Sequence, residues 1–158
     1  MKSEKEGIME IEKKFGTYSV KSDWNEMQTA SGEIFIYMPP HSSEKKKNNS
    51  ITIHSSRNPY AAKDHRIFRN AIMEQLQKKV DLFSDPQINA YGKYTSNDLV
   101  MYVFCISEDN GIETKQYYIV GEKRFCVIQS INYDKNLELD QVAEEIADSF
   151  RWKEAVNE

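Results

Sequence analysis

Lys115-Gln-Tyr-Tyr-Ile-Val-Gly-Glu-Lys-Arg-Phe-Cys-Val-Ile-Gln-Ser-Ile-Asn-Tyr-Asp134 and, after a polar break, Leu137-Glu-Leu-Asp-Gln-Val-Ala-Glu-Glu-Ile-Ala-Asp-Ser-Phe-Arg-Trp152 decide the fold. The first segment holds two aromatic and β-branched runs separated by Gly121-Glu122, the pattern of a hairpin. The second places Leu139, Val142, Ala143, Ile146, Ala147 and Phe150 at spacings of one, three and four, which is one face of a helix. Its other face is acidic, with Glu138, Asp140, Glu144, Glu145 and Asp148. A hairpin that feeds a one-sided helix predicts an antiparallel sheet with that helix laid on it.

The pattern extends upstream. Ile88 to Tyr94, Leu99 to Ile106 and Ile112 to Val120 read as strands, with turns at Ser96-Asn97-Asp98 and Glu108-Asp109-Asn110-Gly111. Leu99 to Ile106 is almost continuously apolar, which predicts a central strand covered on both faces. Asp85-Pro86 ends a helical segment that opens with Asp64 as N-cap. Its stripe is Ile67, Phe68, Ala71, Ile72, Leu76 and Val80, with Arg66, Arg69, Lys78 and Lys79 on the wet side or its border. Before it, Phe15 to Lys21, Glu33 to Met38 and Ser50 to His54 read as strands. Trp24 is expected to cover a sheet end. Pro39-Pro40 stops the second of these strands, and a loop with Lys45-Lys46-Lys47 follows it.

The expectation is an α+β protein with a single antiparallel sheet of six to seven strands, flanked by two helices. Residues 15–152 would form one domain. Residues 1–14, dense in Glu and Lys, would be a charged tail or short helix, and residues 153–158 a second tail.

Composition narrows the function. The net charge of −4 lacks the basic excess that a general nucleic-acid binder needs to displace counterions. Cys105 and Cys126 fit no zinc spacing, so they are either two small buried side chains or a cross-strand disulfide. Nothing approaches the roughly 20 apolar residues that span a bilayer. The chain as it stands is expected to be cytoplasmic. However, Met1-Lys-Ser-Glu-Lys-Glu-Gly7 also resembles the polar tether after a lipidated cysteine, which would place it at a cell envelope.

The order of elements resembles the PsbP/Mog-like fold, which includes DcrB-like bacterial proteins and lipoproteins. Phe15-Gly-Thr-Tyr-Ser-Val-Lys-Ser-Asp-Trp24 is similar to that family's opening strand and Trp corner, although Ser22 or Asp23 stands where Pro or Gly is usual. The helix after the third strand is the second likeness. Ala147-Asp-Ser-Phe-Arg-Trp152 is the third, close to the family's closing Ser-Phe-Lys/Arg motif. The resemblance spans residues 15–152 and implies a non-catalytic binder of proteins, peptides or hydrophobic ligands. It carries over no functional residue and implies no cofactor.

Candidate site residues come from the loop after the third strand. Arg57, Asn58 and Tyr60 combine a guanidinium, an amide and a phenol, types suited to recognition. His54 and His65 flank them. The competing reading is a small hydrolase using His54 or His65 with Asp64 and Ser55 or Ser56, but no Gly-x-Ser-x-Gly elbow accompanies these residues. No metal-binding motif is present, so neither metal nor cofactor is expected. The expected partner is a protein or peptide.

Overall fold

The computed structural model of the chain describes residues 3–5, 7–27, 29, 32–40, 49–60, 65–80, 87–108 and 111–153. The Asp64 cap, the lysines Lys45 to Lys47, the Asp85-Pro86 break, Asp109-Asn110 and residues 154–158 lie outside them. The strands are β1 (Ser3–Lys5), β2 (Ile8–Glu12), β3 (Gly16–Lys21), β4 (Asn25–Met27), β5 (Phe35–Met38) and β6 (Ser50–Arg57). After helix α1 (His65–Val80) come β7 (Gln87–Tyr94), β8 (Val100–Ser107), β9 (Glu113–Val120) and β10 (Arg124–Asn132), then α2 (Leu137–Ser149) and β11 (Arg151–Trp152).

The fold is α+β, with two antiparallel sheets where one was expected. The large sheet runs β4-β5-β6-β10-β9-β8-β7 and the small one β1-β2-β3-β11. The segment read as a tail supplies β2, and β3 joins it instead of the large sheet. The sequence hides this because β2 buries only Ile11 among charged neighbours. A strand wet on most of its surface has no apolar alternation to find. β8 lies next to the edge strand β7 and is not central. It is nonetheless covered on both faces, since four consecutive residues, Met101 to Phe104, are buried.

Alternation sorts the large sheet's side chains between two helices. Tyr102, Phe104, Tyr118 and Phe125 meet Phe68, Ile72 and Leu76 of α1. Ile51, Ile53, Met101, Val103, Ile119, Cys126 and Ile128 face the other way, into the core that holds α2. Helix α2 touches β3 of the small sheet as well as β6, β9 and β10 of the large one. This double cover explains why Leu139, Val142, Ala143, Ile146 and Ala147 are all buried. Asn136 starts the helix by accepting from the backbone amides of Glu138 (2.9 Å) and Leu139 (3.3 Å). Glu138 and Asp140 in the first turn suit the positive end of its dipole.

Phe15, Tyr18, Val20 and Trp24 complete the same core. The Tyr18 and Tyr37 hydroxyls sit 2.6 Å apart, and Tyr37 donates to Glu26 Oε1 at 2.5 Å. Because Tyr37 has one proton to give, Tyr18 is the donor to Tyr37. Both cysteines are free. They stand on β8 and β10, with β9 between them, so a cross-strand disulfide is ruled out by topology.

Candidate binding groove between the two sheets

A groove of about 830 Å³ opens where the β2–β3 turn of the small sheet meets the ends of β5, β6 and β10. Phe15 and Phe35 form its aromatic part, their rings 6.3 Å apart. Five cationic side chains line it: Lys13, Lys14, Arg57, Arg124 and Lys153. Among the described residues, only two carboxylates do so, Glu12 and Glu33.

Local backbone chemistry places these groups. The β2–β3 turn closes with Lys13 N–H donating to Gly16 C=O at 2.8 Å, which projects Lys13 to Phe15 together. Gly16 is required where β11 crosses β3, because a Cβ there would lie 2.3 Å from the Arg151 carbonyl oxygen and 2.8 Å from the Phe150 ring. β11 then brings Lys153 to the rim, where its N–H donates to Phe15 C=O at 3.1 Å. Across the groove, Arg57 and Arg124 are directly opposite each other in the β6–β10 ladder.

Two of the cations are already matched. Lys13 Nζ bonds Glu26 at 2.8 Å and lies 3.8 Å from the centre of the Phe35 ring. Lys153 pairs with Glu12 at 2.8 Å and holds that carboxyl below its ordinary range. Arg124 Nε donates to Ser55 Oγ at 3.2 Å, and Ser55 in turn donates to the Phe125 carbonyl at 2.8 Å.

Of the residues singled out in the sequence, Arg57 lines the groove. Asn58 does not. It is 3% exposed, donates through Nδ2 to Gly121 C=O at 3.0 Å, and accepts from Tyr60 N–H at 3.0 Å. Tyr60 packs edge-on to Phe68 under α1. His54 stacks edge-on against Phe125, and burial lowers its pKa. His65 is hydrogen-bonded to the Tyr102 hydroxyl. The strands anchoring the two histidines, β6 and β8, are three spacings apart, about 14 Å of sheet. The structure therefore brings the two histidines to separate places. Ser55 donates its hydroxyl to the Phe125 carbonyl and accepts from Arg124, so it is paired with neither histidine, and Asp64 lies outside the described residues.

Lys14, Phe15, Phe35, Arg124 and Lys153 were not singled out from the sequence. They come from four separate stretches, and no motif links them. Among the described residues, no group of three or more His, Cys, Asp or Glu side chains is set to hold a metal. No described helix is long and apolar enough to cross a membrane.

A second depression, about 950 Å³, lies beside α2 and includes Glu10, Glu144, Glu145 and Asp148. Three of its charged residues, Lys93, Glu144 and Asp148, hold the β7–β8 end against α2. Lys93 meets Glu144 at 2.8 Å, and Asp148 Oδ1 accepts from Ser96 N–H at 2.8 Å. The Ser96 bonds keep the Asp148 carboxyl below its usual range.

The architecture matches solved structures of the PsbP type. The chain is similar to cyanobacterial PsbP (CyanoP) from Synechocystis sp. PCC 6803, with a TM-score of 0.64, 10% identity and 95% of each chain covered. It is also similar to a protein of Bacteroides thetaiotaomicron VPI-5482, with a TM-score of 0.55 and 14% identity. That match covers 88% of this chain and 45% of the other, so this chain spans less than half of its length. No protein-family model matches the sequence, and comparison with curated proteins finds no match. The chain has a PsbP-like fold.

Proposed function

We propose that this chain is a non-catalytic binding module that holds an extended segment of a protein partner in the groove between its two sheets. The observation that carries the reading is the convergence of Phe15, Phe35, Lys14, Arg57 and Arg124, from separate segments, on one concavity. Aromatic surface beside guanidinium groups is the composition of recognition hot spots. The PsbP-like fold of non-catalytic binders supports it by analogy only. Cytoplasmic and envelope-tethered placements both accommodate this role.

The test is selection of binders from a displayed library of random peptides, followed by binding to Phe35→Ala and to His65→Ala as a remote control. Selected peptides should weaken about tenfold or more on Phe35→Ala, since truncation of a hot-spot residue costs about 2 kcal/mol. They should bind His65→Ala unchanged. Peptides indifferent to Phe35 would place recognition elsewhere and overturn the proposal.

A further inference from the structure

The groove carries an electrostatic imbalance that points to the chemistry of its occupant. Arg57 and Arg124 are direct cross-strand partners on the face that looks toward the small sheet. Such pairs bring Cβ atoms to about 5 Å, and like charges there repel. Lys14 lines the same space. Glu26 and Glu12 are occupied by Lys13 and Lys153. Glu33 is the other carboxylate among the described lining residues. Arg124 Nε donates to the neutral Ser55 hydroxyl, and among the described residues neither arginine makes an ion pair. Two arginines thus face one groove with no anion paired to either among the described residues.

We infer that the occupant is an acidic peptide segment, with a carboxylate seated between Arg57 and Arg124 and an adjacent apolar side chain on Phe15 and Phe35. This rests on the groove being the partner site. A guanidinium presents a planar fork that matches a carboxylate two bonds at a time, so facing forks select that group over a neutral amide. The aromatic part adds a requirement for apolar surface next to the charge. Shape argues against a lipid bilayer, because the cations stand on the walls of a concavity, and a flat anionic surface requires them on an outward face. The net charge of −4 argues against a long polyanion for the same molecule.

The experiment measures fluorescence anisotropy of a labelled octapeptide containing three Glu and two Leu, beside its Glu-to-Gln counterpart and a phosphoserine version. Vesicles of anionic phospholipid form a separate arm. The Glu peptide should bind at least about tenfold tighter than the Gln peptide, as for a charge-assisted hydrogen-bonded pair. Arg57→Gln and Arg124→Gln should each erase that preference while leaving the Gln peptide unchanged. Phe35→Ala should weaken both peptides. Arg57→Gln should also raise the melting temperature of the free protein, because it removes one of two facing like charges. That second readout separates lost recognition from lost folding.

Equal binding of Glu and Gln peptides, both sensitive to Phe35→Ala, would overturn the acidic-ligand inference and leave the groove as the partner site. Binding by the phosphoserine peptide alone would overturn the carboxylate assignment. A lower melting temperature for Arg57→Gln would show that the two arginines do not repel, and the inference would fall with it. Binding of vesicles but neither peptide, or of nothing at all, would overturn both readings.

Discussion

Arg57 and Asn58 are neighbours in sequence with opposite duties. Arg57 ends β6 in the groove, whereas Asn58 turns back to tie the β9–β10 turn to Tyr60. Asn58→Ala strands polar backbone in a part-buried place and should cost about 1–3 kcal/mol of stability. A urea melt should show it as a lower midpoint, while Glu-peptide affinity stays at the parental value. His54 gives a pH signature. Burial lowers its folded pKa below the ordinary 6.5, so the unfolded chain binds its proton first. Stability contributed by neutral His54 is intact above about 6.5 and declines as pH falls from there toward the folded value. The urea midpoint should therefore slope downward below that pH, and His54→Gln should flatten the slope. Both residue types were visible in the sequence as polar groups near a strand end. Their roles were not, because direction depends on which face meets α1 and which meets the small sheet. That assignment comes from pairing of strands distant in sequence, which local periodicity does not encode.

Elements differ in how plainly the chain announces them. Helix α2 was legible because burial on two sides demands an apolar stripe, and α1 because its Phe68, Ile72 and Leu76 share one face. The hairpins β7 to β10 were legible from turns and aromatic runs. β2 was not, since its partner interactions are mainly backbone bonds to β3 and one buried side chain. β11 was not, being two residues long. Gly16 is where these short elements join. Gly16→Ala would push a Cβ into the Arg151 carbonyl and the Phe150 ring, and should cost about 1–3 kcal/mol as an overpacked core position does. Displacement of β11 would also move Lys153 from the Phe15 carbonyl. Denaturant unfolding and peptide binding on the same sample should therefore both weaken. A change in stability with unaltered affinity would show that β11 does not position the groove's rim.

At the scale of the whole molecule, a net negative protein carries a positive groove. Among the described residues, the depression beside α2 holds four carboxylates against Lys93 and Arg151, and the groove between the sheets holds the cationic excess. An approaching acidic peptide feels the net charge of −4 at long range and the arginines only within about a Debye length, roughly 8 Å at physiological salt. Long-range attraction that speeds encounter is therefore absent, in contrast to partners of opposite net charge. The bound state, however, depends on close charge-assisted contacts. Added salt should accelerate dissociation and leave the association rate flat or slightly raised, because screening also relieves the overall repulsion. Stopped-flow mixing of the Glu peptide at several salt concentrations resolves the two rates. An association rate that falls steeply with salt would mean that the groove's field reaches far beyond its walls, which the distributed acidic surface does not permit.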